Sequence, residues 1–125
     1  MGRPSNREER RRQILSAFAR VLSDHGYAGA TIVSIATEAG IAPGLLHHHF
    51  ASKSELMYGL LQDLVARFRA RVRSYEHDGD RLAAYIDGAL RLDERADLIA
   101  ARCWVGVFAE AVRHPPLFAQ MRRLI

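Results

Sequence analysis

From Glu8 to the end of the chain, apolar residues recur three and four positions apart, and they alternate with polar ones nowhere over a strand's length. Ile14, Phe18, Val21 and Leu22 fall at i, i+4, i+7 and i+8, the buried face of a helix that starts near Glu8. It is predicted to end near His25-Gly26, where glycine admits the left-handed turn. The loop Tyr27-Ala28-Gly29-Ala30 leads to Thr31, a predicted N-cap, and Ile32, Ile35, Ala36 and Ala39 form the inner stripe of a second helix. Gly40 closes that helix. Pro43 fits the first turn of a third, where its missing N–H costs nothing. Leu46, His49 and Phe50 are the inward positions of helix three, with His49 expected to hydrogen-bond within the head.

Ser52-Lys53-Ser54-Glu55 reads as a capping box, with Ser52 as the cap and Glu55 reaching back three residues. It opens a long helix with apolar Leu56, Leu60, Leu64, Phe68 and Val72. Glu76-His77-Asp78-Gly79-Asp80 is a polar break and a candidate domain boundary. Two more helices are predicted, from about Arg81 to Arg95 and from about Asp97 to His114, the second stopped by Pro115-Pro116. Leu117 to Ile125 begins another. The chain is therefore expected to be all-α. The segment Thr31–Phe50, two short helices across a tight turn, reads as a helix-turn-helix, a device that places one helix in the major groove of DNA.

Charge sharpens that reading only through its distribution. The 125 residues carry a net +4 and are 49% hydrophobic. Five arginines against Glu8 and Glu9 place most of the excess in the first dozen residues, and a basic arm on a balanced body points to local phosphate contact. The single cysteine, Cys103, permits no internal disulfide and is expected to be a small buried residue. No apolar run approaches the ~20 residues of a membrane span, and the N-terminus lacks a signal-peptide pattern, so a cytoplasmic location and no membrane partner are expected. No Gly-rich phosphate loop, nucleophile elbow or telling carboxylate–histidine spacing appears, so the chain is not expected to be an enzyme or to need a cofactor. His47, His48 and His49 invite a metal reading. Successive helical residues diverge by about 100°, however, and no second ligand group lies near, so no metal site is expected.

At residues 10–56 the pattern resembles the DNA-binding head of the TetR family of bacterial transcriptional regulators. The matching residues are an Ile in helix one, Gly26-Tyr27 at its end, Thr31, Ile35-Ala36, Ala39-Gly40-Ile41, Gly44, Leu46, His49-Phe50, Ser52-Lys53 and Leu56. The segment Trp104–Phe118 with His114 and Pro116, together with Arg10–Gln13 and Ala30-Thr31-Ile32, is similar to the BetI branch of that family. The resemblance implies an N-terminal three-helix head with its basic arm over residues 1–52. A helical ligand-binding and dimerisation domain follows over 53–125, truncated relative to the family. It implies a repressor released from double-stranded operator DNA by a small-molecule effector, acting as a homodimer. Phosphate contacts would come from Thr31, His48 and Lys53, and base contacts from Pro43, Gly44, Leu45 and His47, with Val33 and Ser34 on helix two and Arg3 in the arm. The family usually has small polar residues and tyrosine where this chain has Ala42, Leu45 and His47.

Several residues also have plainer readings. Thr31 caps its helix in any case, and Lys53 can be a solvated lysine. The arginine arm is either a solubilising tail or a minor-groove contact. Arg67, Arg69, Arg71 and Arg73 read as cations favoured at a helix C-terminus. Tyr85, Trp104 and Phe108 read as core, with a ligand pocket (an aromatic cage for a cationic effector) as the second reading. Histidines beside phosphates predict binding that strengthens as pH falls. The rival to a DNA-binding regulator is a helical small-molecule-binding or interaction protein whose head no longer reads DNA.

Overall fold

The computed structural model describes residues 6–76, 79–91 and 97–124. These form seven helices, and no strand occurs among them: α1 Asn6–Gly29, α2 Ile32–Ala39, α3 Pro43–His49, α4 Lys53–Ser74, α5 Arg81–Leu90, α6 Leu98–Arg113 and α7 Pro115–Leu124. His77, Asp78 and the predicted end of the fifth helix at Arg95 lie outside the described residues.

Local chemistry sets most boundaries. Gly26 has φ 73° and ψ 178° and kinks α1, as a left-handed glycine should, but the chain does not become a loop there. A further helical turn runs to Gly29, closed by the Ala30 N–H donating to the Tyr27 carbonyl at 3.2 Å. The expected loop over 27–30 is thus a kinked last turn. Thr31 caps α2 reciprocally with Ser34, and Gly40, at φ 71°, ends it in the left-handed conformation. Ser52 caps α4 by accepting from the Glu55 N–H at 3.2 Å. Glu55 reaches back one residue further than a capping box requires, to the Ala51 N–H at 2.8 Å. Asp80 and Asp97 cap α5 and α6. Pro115 ends α6 by the next turn and starts α7, where no N–H is needed.

One core runs through the molecule. Ile14, Phe18, Ile35, Leu46, Phe50 and Leu56 fill the first four helices, and Leu60, Leu61 and Leu64 carry the core on to Cys103, Val107 and Met121. Helix α1 packs against α2 on one side and α6 on another. There the Cys103 thiol donates to the Ala19 carbonyl at 3.3 Å, and Gly106 faces Leu22. Helices α4 and α5 meet where Gly88 lies against Val72; a Cβ on Gly88 would stand 2.7 Å from Val72 Cγ2 and 3.1 Å from its Cα.

Three of the four arginines of α4, Arg67, Arg69 and Arg71, do more than favour its dipole, which adds to their sequence reading, while Arg73 is an exposed cation in the last turn. Arg67 joins Asp63 at 2.9 Å to Asp97 at 3.5 Å. Arg69 donates to the Leu124 carbonyl at 2.8 Å. Arg71 donates to the Gly88 carbonyl at 2.8 Å and to that of Arg91. Each spends its charge on a neighbouring element. On the outer faces of α5 and α6, Leu82, Leu90, Val105 and Val112 are at least 70% exposed. No described helix is long and apolar enough to cross a membrane.

Candidate nucleic-acid interface

Helix α3 is short, and the core holds it by one side. Leu46 and Phe50 are buried beside Ile35 and Ala36 of α2. The opposite side is therefore outward: Pro43, Gly44, Leu45, His47 and His48 are all exposed, and Val33 of α2 stands beside them 63% exposed. Between Glu38 and Glu55 the sequence contains no carboxylate. Both bounding acids are engaged: Glu38 pairs with Arg20 of α1 at 2.8 Å, and Glu55 holds the Ala51 N–H. The outward face of α3 thus carries no carboxylate of its own and is backed by the buried side chains of the head. A polyanion meets no repulsion from α3 itself.

The two hydroxyls at the start of α2 differ. The Ser34 hydroxyl accepts from the Thr31 N–H and donates to the Thr31 carbonyl, each at 2.9 Å, so its proton is committed. Thr31 Oγ1 accepts from the Ser34 N–H at 3.0 Å and keeps its own proton for an outside acceptor. Thr31 is exposed and Ser34 half-buried.

Lys53 is not a freely solvated lysine. Its ammonium donates to the Tyr27 carbonyl and lies 3.8 Å over the Tyr27 ring. Burial pushes its pKa down, and the field of Glu110 opposes that shift. Burial, and then Glu110, push the Tyr27 hydroxyl up. Glu110 is itself buried on α6 and pairs with His114 at 2.6 Å. Two of the three ammonium donors of Lys53 remain available for a ligand.

His48 and His49 stand edge-on, 5.5 Å between centroids. His49 is half-buried, but among the described residues it has no hydrogen-bond partner, contrary to expectation. The reason is that it turns towards the arginine-rich start of α1. Its pKa is lowered by burial and then by His48, Arg7, Arg10 and Arg11. Among the described residues no group of three His, Cys, Asp or Glu is placed to hold a metal ion. Arg3, with Gly2 and Pro4, lies outside the described residues.

The aromatic candidates fall into two pairs. Tyr85 stands edge-on to Phe68 at 5.5 Å, and Trp104 lies tilted against Phe108 at 5.8 Å. Trp104 packs against the core, whereas Tyr85 and Phe108 are half exposed. Cys103 is fully buried, and burial, then Asp97, push its thiol up to about 11 against the opposing field of Arg67.

Three contributors escaped the sequence reading: Arg20 with Glu38, Tyr27 as the seat of Lys53, and Glu110 behind both. Each contact joins residues 18 or more positions apart, where no periodicity exists to reveal it.

The family model described as bacterial regulatory proteins, tetR family, matches residues 14–58. The HTH-type transcriptional regulator BetI of Rhizobium meliloti (strain 1021) is 31% identical over 121 residues, covering 93% of this chain and 57% of the relative. The chain therefore spans a little over half the length of that protein. Among solved structures, a putative TetR-family transcriptional regulator from Rhodococcus sp. superposes with a TM-score of 0.81 at 30% identity, over 93% of this chain and 63% of that one. The multidrug binding protein EbrR, complexed with malachite green, superposes at 0.74 and 27% identity over 93% and 69%.

Proposed function

We propose that this chain, whose residues 14–58 match the model of the tetR family of bacterial regulatory proteins, is a sequence-specific, DNA-binding transcriptional repressor that a small molecule releases from its operator. The observation that carries the reading is the outward face of α3, exposed, without a carboxylate and backed by a fully packed core. In this reading residues 1–52 are the DNA-binding head and 53–125 the regulatory body. Pro43, Gly44, Leu45 and His47 meet base edges: Gly44 lets backbone and groove approach, and Leu45 offers an apolar contact for a thymine methyl. Val33 and Ser34 flank them. Thr31 gives its free hydroxyl proton to a phosphate, His48 takes another, and Lys53 a third through its remaining donors. Arg3 follows the minor groove. A homodimer places two heads in successive major grooves, about 34–36 Å apart. Such a protein works where the chromosome is, in the cytoplasm.

Effector binding is placed in the body, at the Trp104–Phe108 pair, with Tyr85, edge-on to Phe68, as a separate aromatic candidate. A relative of this fold binds the cationic dye malachite green, and exposed rings attract cations through their faces. Trp104 is the single tryptophan, so titration with a cationic dye or a quaternary amine is expected to quench its emission. Phe108→Ala is expected to weaken that response, and unaltered emission in both proteins would remove the assignment.

The test of the whole reading is a mobility shift with DNA from the chain's own upstream region across a salt series, paired with light scattering. Salt-sensitive, sequence-selective binding by a dimer supports it. Equal binding to any duplex, or none, defeats it.

A further inference from the structure

The start of α1 and the end of α3 bound an open cleft of about 420 Å³ beside the reading face. Arg7, Arg10 and Gln13 line it from α1, and His48 and His49 from α3. Glu9 is its one acid. Among the described residues neither Arg7 nor Arg10 has a carboxylate partner. Arg11, one residue on, stacks on Phe50 at 4.4 Å and adds its field without entering the pairing. The cleft thus gathers two unpaired guanidinium groups and two imidazoles around a single carboxylate. Such a concave surface gains most from an anion with several acceptor oxygens, which guanidinium groups bind in forked geometry.

We propose that this cleft seats a backbone phosphate of the DNA duplex, flanking the bases met by α3, with Arg7 and Arg10 as its ionic contacts and the His49 imidazole taking up a proton as the phosphate arrives. The proposal rests on the DNA-binding reading above. The charged groups facing His49 are Arg7, Glu9, Arg10 and Arg11 from α1 and His48 from its own helix. In the free protein burial, and then the cations around His49, oppose its protonation. A phosphate offsets part of that local field, so the imidazole becomes easier to charge and its new N–H donates to a phosphate oxygen. By linkage, whatever favours protonation when DNA binds must favour DNA binding when the proton is present.

The test uses the full chain and a short mixed-sequence duplex, with affinity measured across salt and between about pH 8 and about pH 6. Wild-type affinity is expected to rise on acidification, approaching tenfold per pH unit for each proton taken up. Arg7→Gln/Arg10→Gln, one change at an exposed position and one at a half-buried one, is expected to lower the salt slope by about two and to flatten the pH response. His49→Gln is expected to abolish most of the pH response and leave the salt slope near wild type. A parallel NMR titration of the His49 ring with inorganic phosphate separates the sources: a response to phosphate with none to the duplex reassigns the cleft to a free anion and overturns the proposal. Duplex binding that is flat with pH and has an unchanged slope in the double variant overturns the cleft alone. Failure of the wild type to bind any duplex overturns both the cleft and the function on which it rests.

Discussion

Gly44 and Cys103 show what single side chains contribute. A Cβ at Gly44 meets nothing within 4 Å, and the residue is not in the left-handed region, so its small size serves no internal packing. Gly44→Ala is expected to stabilise the free protein by about 0.5 kcal/mol, because alanine loses less entropy in a helix. If α3 docks by close approach of its backbone, the same change weakens duplex binding. A thermal melt and a mobility shift on one variant measure both signs, and a loss of stability would show that the residue has a packing role after all. Cys103 is the converse, a residue spent wholly inside. Its thiol donates to the Ala19 carbonyl and stays protonated far above neutrality. Thiolate is the reactive form, so a disulfide reagent at pH 8 should modify native protein very slowly and denatured protein quickly. Fast native labelling would show that α6 opens away from α1.

The elements themselves were largely legible in the sequence, because caps and breakers act within a few residues. Thr31, Gly40, Pro43, Ser52, Asp80 and Asp97 all stand at or beside helix ends. Periodicity alone located the buried stripe of α1. The docking of helices on one another was not legible. Nothing near Arg71 announces the carbonyl of Gly88, and nothing near Lys53 announces Tyr27. The outward face of α3 could be read because it is the complement of a periodic inner face, whereas the cleft beside it combines two helices 35 or more residues apart in sequence. Gly88 gives this scale its prediction. Even one methyl there overlaps Val72, whose Cα cannot retreat without moving α4. Gly88→Ala is expected to cost about 1–3 kcal/mol, seen as a lowered melting temperature. Adding Val72→Ala should recover only part of it, since the backbone contact persists; full recovery would place all the strain in the valine side chain.

At the scale of the whole molecule, proton binding and folding are coupled through His49. Its pKa is lowered in the folded state, so the unfolded chain binds more protons as pH falls through the ordinary histidine value of about 6.5. The contribution is fully present above that value and is lost below it. The free protein should therefore melt at lower temperature at pH 5.5 than at pH 7.5, and His49→Gln should narrow the difference. An unchanged difference would assign it to other groups. The remaining consequence comes from the contact between Lys53 and the Tyr27 carbonyl. It joins the last turn of α1 to the first turn of α4, with α2 and α3 strung between them, and so closes 25 intervening residues into a ring. A segment fastened at both ends has little freedom left to surrender when it meets a ligand. Ordering costs that a hanging helix-turn-helix would incur on docking are met during folding instead. Association should accordingly proceed as the encounter of two rigid bodies, with a heat-capacity change no larger than the contact area requires.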